Sequence, residues 1–383
     1  MKNRVAVKKI LLVFIVAFSL RIGISSIPPL LPLLQAELKL EAAAASLLTS
    51  IPVICMGLFA LSVPAIQKKW GHQKGISIFL GVLCFGIFLR AFVPHYSGLL
   101  VTAFMIGIAA AIIGPLLSGY IKSEFPAHQG LVIGIYSLSM GMGASISSGS
   151  ANRLTAMFHG RWQFALAIFG FFVLIGWLAW QQKSSHSFTL AIKQIKLPLT
   201  NRHAWQMTFF FGIQAGIFYG MTTWISTIAY QRGATMVQAG YILMFYTLTQ
   251  MIFSFVIPFL LDYFGSLKFW AVSCSLLVVL GLIGLLFKST LFILGLAVFL
   301  IGIGLGGLFP IALLLPLKIT DSGSAASAWT AMVQSFGYMI GGTIPFLMGG
   351  LTELLGSSAS LGFVLLLSIL LAILASIIKN RKM

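Results

Sequence analysis

Apolar runs of membrane-spanning length recur along this 383-residue chain, separated by short polar breaks. Twelve can be read, at about 10–34, 45–67, 75–93, 97–121, 129–151, 162–181, 204–229, 237–261, 268–287, 290–316, 325–350 and 359–378. Roughly 20 apolar residues carry a helix across the roughly 30 Å hydrocarbon core of a bilayer. The runs lack the strict alternation of a membrane barrel, and backbone groups in lipid must be satisfied within a helix or a closed barrel. The pattern therefore predicts an all-α polytopic membrane protein with twelve transmembrane helices.

Composition agrees, since 59% of residues are hydrophobic and 8% charged, against roughly 25% charged in a soluble domain. The net charge of +18 raises the question of a polyanionic partner, and its distribution answers it. With the N-terminus inside, the inner side collects Lys2, Arg4, Lys8, Lys9, Lys68, Lys69, Lys74, Lys122, Lys183, Lys193, Lys196, Arg202, Lys268, Lys318, Lys379, Arg381 and Lys382. The outer side holds only Lys39, Arg90, Arg153, Arg161, Arg232 and Lys288. This positive-inside asymmetry predicts both termini in the cytoplasm and a bacterial-type cytoplasmic membrane, with the bilayer rather than nucleic acid as the large partner. The opening KNRVAVKK and the apolar run after it resemble a secretory signal, but the run is too long and no small-residue cleavage site follows, so it is expected to be retained as the first helix. Cys55, Cys84 and Cys274 fall inside predicted helices without metal-ligand spacing. They read as small buried apolar residues, and neither a metal nor a cofactor is expected.

Residues 182–203 form the longest polar and basic interval and divide the helices six and six. The expected organisation is an N-terminal bundle (1–181), a cytoplasmic linker (182–203) and a C-terminal bundle (204–383). Internal repetition supports this. SVPAIQKKWGHQKG (62–75) and VIPFLLDYFGSLKF (256–269) pair Pro64 with Pro258, Gly71 with Gly265 and Lys74 with Lys268; GIAAAIIGP (107–115) and GIGLGGLFP (302–310) pair Gly107 with Gly302 and Pro115 with Pro310 at nearly the same offset. Parallel six-helix repeats are the organisation of major facilitator transporters, in which the solute site lies between the halves near the midplane and rocking exposes it to alternate sides.

The loops at these repeats resemble that superfamily's cytoplasmic motif, an acid, a glycine and basic residues forming a charge relay. Asp262, Gly265 and Lys268 fit it; in the first half Lys68 stands at the acid's place, leaving Gly71 and Lys74. A tight turn with ordinary inside-positive charge is the alternative. The glycine- and serine-rich stretches 136–150 and 337–350 are suited to close packing or sliding between the halves. GIGLGGLFP resembles a nucleotide loop, but it lies in an apolar span with no strand before it. Pro115, Pro310 and Pro345 mark expected kinks that contribute to gating.

Arg21, in SLRIGISSIPPLLP (19–32), is the residue most at odds with its surroundings. It lies eleven residues beyond Ile10, or about 16 Å at 1.5 Å per residue, near the middle of the hydrocarbon core. An arginine at that depth costs at least about 2.5–3.5 kcal/mol and must face protein or a water-filled cavity. All six acids, Glu37, Glu41, Glu124, Asp262, Asp321 and Glu353, map to loops or helix ends. An uncompensated guanidinium in a cavity offers a planar donor fork to a small anion or strongly dipolar solute; alternatively Arg21 caps carbonyls loosened around Pro28 and Pro29. Arg90 lies closer to the outer boundary and is expected to snorkel outward. Gln214, Tyr219 and Trp224 in the seventh segment, Gln250 in the eighth, and Gln334 and Tyr338 in the eleventh complete the candidate solute-binding set. Spacing puts Gln334 and Tyr338 on one face and Gln214 and Trp224 on roughly one side, with Tyr219 turned away. Each of these has a second reading as interhelical hydrogen bonding.

At these residues the sequence resembles the cyanate and 2-nitroimidazole transporter family of the major facilitator superfamily. The similarity is carried by SLRIGISSIPPLLP, LLTSIPVICMGLFA (47–60), IKSEFPAHQG (121–130), GIQAGIFYGMTTW (212–224), GIGLGGLFPIALLL (302–315) and AMVQSFGYMIGG (331–342). It implies twelve helices and import or export of a small polar compound, with the family's helix 1 arginine at Arg21; with Arg21 lacking an embedded carboxylate, the expectation is a monomeric transporter of a small anionic or planar polar solute. A cation or multidrug exporter of the same fold would need an acid in the cavity. A membrane enzyme or non-transporting sensor would need a nucleophile–base pair or metal cluster, whereas every histidine lies in a loop or near a helix end.

Overall fold

The computed structural model describes residues 2–125, 129–181, 197–263, 266–287, 290–319 and 323–377, and every regular element among them is helical. In chain order these are α1 (Lys2–Ser25), a 3₁₀ turn (Pro28–Leu30), α2 (Leu31–Leu38), α3 (Ala42–Ala60), α4 (Val63–Leu89) with a short 3₁₀ extension (Arg90–Phe92), α5 (Tyr96–Glu124), α6 (Gln129–Met157), α7 (Trp162–Ala167), α8 (Gly170–Gln181), α9 (Arg202–Gln231), α10 (Met236–Tyr263), α11 (Leu267–Leu286), α12 (Leu291–Ile319), α13 (Gly323–Leu355) and α14 (Ser357–Ser376). The first predicted segment corresponds to α1, the 3₁₀ turn and α2, and the sixth to α7 and α8. The others correspond to one helix each, which makes twelve crossings.

Nine of the twelve, among the described residues, are apolar enough to cross a membrane by length and composition alone. The other three, α6, α9 and α13, are 29, 30 and 33 residues long and therefore long enough. They are richer in Gly, Ser, Thr and Gln because they run through the middle of the molecule. α13 packs on both α9 and α3, and α6 on both α1 and α10. A helix covered by protein on several sides does not need the apolar surface that lipid demands.

The first crossing is broken by its own prolines. Pro28 and Pro29 have no N–H to continue the α1 ladder. The chain tightens instead, with Ile27 N–H donating to the Ile24 carbonyl at 3.4 Å and Leu30 N–H to the Ile27 carbonyl at 2.9 Å. Helix resumes at Leu31 with Pro32 in its first turn, where a missing donor costs nothing. A second break falls at Gly71, inside α4, with φ 67° and ψ 179°. That conformation is nearly confined to glycine, and it lies between the segments predicted at 45–67 and 75–93.

One apolar core lies within α1–α8, around Val16, Leu80, Ile113 and Trp180, and another within α9–α14, around Phe211, Leu243, Val278 and Ile301. The two halves meet along α3 with α13 and α6 with α10. Glycines permit the approach: a Cβ on Gly342 would stand 2.8 Å from Ile54 N, and one on Gly349 would stand 2.7 Å from the Ala42 carbonyl. We call the end where α1 starts the near end and the opposite one the far end. Between described residues, every side-chain hydrogen bond joining the halves lies at mid-span or toward the far end. Ser145 Oγ meets Thr247 Oγ1 at 3.0 Å, Thr223 Oγ1 donates to Thr49 Oγ1 at 2.9 Å, and Glu353 Oε2 accepts from Ala43 N at 3.5 Å. Asn152 Nδ2 donates to the Pro29 carbonyl at 3.0 Å and, across the halves, to the Met236 carbonyl at 2.7 Å.

The expected linker lies mostly at 182–196, which, like Gly265 and the Asp262 side chain, falls outside the described residues.

Candidate functional site

Arg21 lies on α1 one turn before its end. Its Nη1 donates to Tyr219 Oη of α9 at 2.9 Å. Its guanidinium carbon is 5.4 Å from the centre of the Tyr219 ring and 5.9 Å from that of Phe218, within cation–π range. Tyr219 stands edge-on to Tyr338 of α13 at 6.4 Å, and Tyr338 is edge-on to Phe211 at 5.0 Å. Phe218 stacks on Tyr246 of α10 at 6.1 Å. Met56 of α3 places its sulfur 3.9 Å from Tyr219 Oη, and Tyr136 of α6 is near enough to interact electrostatically with both Arg21 and Tyr219. Helices from both halves thus converge on one cation.

Arg21 is partly exposed, although it sits at mid-span with α6, α9 and α13 around it. Its neighbours come from both halves, Met56 and Tyr136 from one and Phe218, Tyr219 and Tyr338 from the other. A guanidinium has five N–H donors, and the Tyr219 hydroxyl occupies one. The described carboxylates are engaged elsewhere. Glu37 accepts from Trp162 Nε1 at 2.8 Å, Glu124 pairs with Lys9 at 2.5 Å, Glu353 caps α3, and Glu41 lies beside Glu353. The centre of the molecule is accordingly positive and ringed by aromatic faces and phenol hydroxyls.

The other candidates distribute around this centre. Gln334 and Tyr338 are partly buried, one turn apart on α13, and Gln250 is partly buried one turn after Tyr246 on α10. Gln214 is buried, with Oε1 unpaired among the described residues. Trp224 is also buried, and its indole N–H donates to the Pro345 carbonyl at 3.0 Å, linking α9 to α13. Spacing alone turned Tyr219 away from the Gln214 side, yet it is Tyr219 that reaches Arg21. The reason is that α9 is buried nearly all round, so the face turned to α1 is the one carrying Phe218 and Tyr219. Phe218, Tyr136 and Met56 are not marked by the sequence, because an aromatic or Met in an apolar helix carries no signal of its own.

Arg90 corrects the expectation that it snorkels outward. It is 1% exposed; Nη1 donates to the Gly23 carbonyl at 2.8 Å and Nε to Thr102 Oγ1 at 3.3 Å. The cause lies in the break of α1. Ile27 N–H, which would have bonded Gly23 in a continuous helix, goes to Ile24, so the Gly23 carbonyl takes side-chain donors instead, Arg90 at 2.8 Å and Ser26 Oγ at 3.4 Å. The carbonyl-capping role open to Arg21 from the sequence is the one Arg90 performs.

Of the loop-motif residues, Lys74 is exposed and Lys268 partly exposed. Beside Gly71 the loop is closed by Gln67 Nε2 and His72 Nε2, 3.0 Å apart. Pro115 and Pro310 lie inside α5 and α12 without ending them.

A sequence profile for the Major Facilitator Superfamily matches residues 13–342. The chain belongs to the Major Facilitator Superfamily. As a member it is a multi-pass membrane transporter rather than an enzyme. It is 29% identical over 382 residues to the 2-nitroimidazole transporter of Escherichia coli (strain K12), covering 97% of this chain and 95% of that one. It is 26% identical over 353 residues to the cyanate transport protein CynX of the same organism, covering 91% of each. Among solved structures it superposes on a D-xylose-proton symporter with a TM-score of 0.80 at 14% identity, covering 97% of both chains, a likeness of fold.

Proposed function

We propose that this protein moves a small anionic or planar polar solute across the cytoplasmic membrane by alternating access, with Arg21 in the central cavity. The observation that carries this reading is the setting of Arg21: partly exposed at mid-span between the halves, with Tyr219 as its hydrogen-bond partner among the described residues and no described carboxylate beside it. A desolvated guanidinium holds an anion or a nitro or carbonyl oxygen through its planar fork. The rings of Phe218, Tyr219 and Tyr338 offer faces and edges to a flat solute. The relatives named for 2-nitroimidazole and cyanate fit the same chemistry.

Residues 1–181 and 204–383 act as the two rocking bundles, with residues 182–203 as the cytoplasmic linker. The charge asymmetry puts the near end in the cytoplasm. On that orientation the far-end ties describe a state closed to the outside. Gln214, Gln250 and Gln334 supply amide groups to the solute, the loop residues Gly71, Lys74, Asp262, Gly265 and Lys268 set the inner gate, and Pro115 and Pro310 bend during the exchange.

Uptake of labelled cyanate and 2-nitroimidazole into proteoliposomes tests the reading, with Arg21→Ala and Arg21→Lys beside the unmodified protein. Transport lost in the alanine variant supports it. Undiminished transport in both variants removes Arg21 from the site.

A further inference from the structure

The two membrane-embedded arginines act on the same turn of α1 from opposite sides. Gly23 follows Arg21 by two residues, about 200° around the helix axis. On the Gly23 side, α1 is pressed against α4 and α5, where a Cβ on Gly23 would stand 3.0 Å from Ile87 Cδ1 and 3.3 Å from Ile106 Cδ1. One turn beyond Ile87, Arg90 reaches over this contact and takes the Gly23 carbonyl at 2.8 Å, while Nε is steadied by Thr102 Oγ1 at 3.3 Å. Thr102 Oγ1 in turn donates to the Leu99 carbonyl at 2.8 Å. The chain of contacts runs from the α5 backbone through Thr102 and Arg90 to the α1 backbone at Gly23. On the opposite side of that turn, Arg21 reaches out to Tyr219 of the other half.

We propose that Arg90 is a positioning residue for the solute site: by holding the Gly23 carbonyl at the break of α1, it fixes the rotation of the last helical turn and with it the direction in which Arg21 presents its guanidinium. The break makes this possible. Ser26 N–H still bonds the Ile22 carbonyl at 3.2 Å, but Ile27 N–H turns to Ile24, so the Gly23 carbonyl lies open to side-chain donors at the end of the ladder. A glycine at the contact lets α1 come close enough for a buried side chain to reach it. Arg90 never touches solute in this account and acts only through Arg21. The proposal rests on the reading that Arg21 meets the solute, and its test separates the two.

The experiment uses the full chain in nanodiscs, carrying arginine isotopically labelled at Cζ and the guanidinium nitrogens, with cyanate as the binding probe. Arg21→Lys identifies the Arg21 resonance, and Tyr219→Phe marks where that resonance goes when the Tyr219 hydrogen bond is lost. In Arg90→Met the Arg21 resonance is expected to move toward the Tyr219→Phe position and cyanate affinity to fall about three- to tenfold, the range of one lost hydrogen bond. Arg90→Lys keeps a donor for the Gly23 carbonyl and is expected to recover part of both effects. An Arg21 resonance unmoved in folded Arg90→Met overturns the proposal, whatever happens to binding. Should Arg90→Met fail to fold, Thr102→Val reads the same quantity: a smaller displacement in the same direction supports the proposal and none overturns it. If Arg21→Lys binds cyanate as the unmodified protein does, the functional reading fails, while the Arg21 resonance still decides whether Arg90 positions it.

Discussion

Arg21 and Arg90 are the same residue type in the same apolar half of the molecule, and their surroundings give them opposite work. Arg90 is 1% exposed, and its guanidinium is bound to a backbone carbonyl and a threonine hydroxyl. Arg21 is partly exposed and shares one N–H with a phenol. Neither has a described carboxylate beside it. A fully buried cation clasped by neutral acceptors, as Arg90 is by a carbonyl and a hydroxyl, is structural; a partly exposed one with a single bond among the described residues is suited to bind. What separates them is burial and partner: Arg90 is closed in on the backbone at the break, and Arg21 is turned to the other half.

The sharpest way to break this comparison is to remove each cation in turn. Arg21→Met is expected to weaken binding of a probe anion about 30- to 150-fold, the loss of charge-assisted hydrogen bonds worth about 2–3 kcal/mol, measured by titration calorimetry. Its apparent melting temperature should stay close to that of the unmodified protein. Arg90→Met should do the reverse in stability, lowering the melting temperature because the buried Gly23 carbonyl loses a charge-assisted bond worth about 1.5–3 kcal/mol and keeps only the longer one from Ser26 Oγ. The binding loss expected for Arg90→Met is the smaller of the two.

A second contrast sets the far end against the near end. Asn152 joins the broken first crossing to the start of α10 through the Pro29 and Met236 carbonyls. Asn152→Ala is expected to shift the population away from the far-end-closed state by about tenfold, roughly the worth of one to two hydrogen bonds. Spin labels at the exposed positions Lys39 and Gln231 would report a longer mean distance by pulsed electron resonance.

Tyr219→Phe probes the Arg21 side alone. Removing the hydroxyl frees one guanidinium donor and deletes one phenol from the site, so probe affinity should change by about three- to tenfold with uptake retained.

The smallest effect expected is a pH dependence at the far end. Glu353 of α13 lies beside Glu41 at the start of α3 and, through their hydrogen bond and its charge, holds the Glu41 carboxyl above its ordinary value. A carboxyl whose pKa is raised in the closed state binds its proton more tightly there. The closed state is therefore favoured below the ordinary carboxylate range near about 4.3, and the advantage is lost as pH rises through the raised value. The same spin-pair distance should lengthen slightly from acid to neutral pH, and Glu353→Gln should flatten that dependence.

Much of this was legible in the chain itself. Twelve crossings follow from run length because lipid imposes it on every exposed helix. The turn at Gly71 and the bend at Pro28–Pro29 follow from residues whose backbone chemistry leaves few options. Depth and the acid census singled out Arg21 and suggested the outward role of Arg90 that the structure overturns. That error has a physical source: snorkelling is judged from distance to a boundary, whereas Arg90 answers a backbone carbonyl 67 residues away in the chain. Periodicity likewise turned Tyr219 away from the rest of its helix's candidates, because it gives relative faces on α9 and not which of them meets α1. Phe218, Tyr136 and Met56 were invisible as site residues, since what marks them is their neighbours and not their type.

The central claim is that Arg21 is the group that holds the solute, and equilibrium binding tests it most directly. A panel of small monoanions, neutral nitroheterocycles and lipophilic cations, titrated into the purified protein and into Arg21→Met, should show anions or nitroheterocycles bound by the former and lost in the latter, with cations bound by neither. Equal binding of the panel by both proteins, or tight binding of cations alone, would contradict the account.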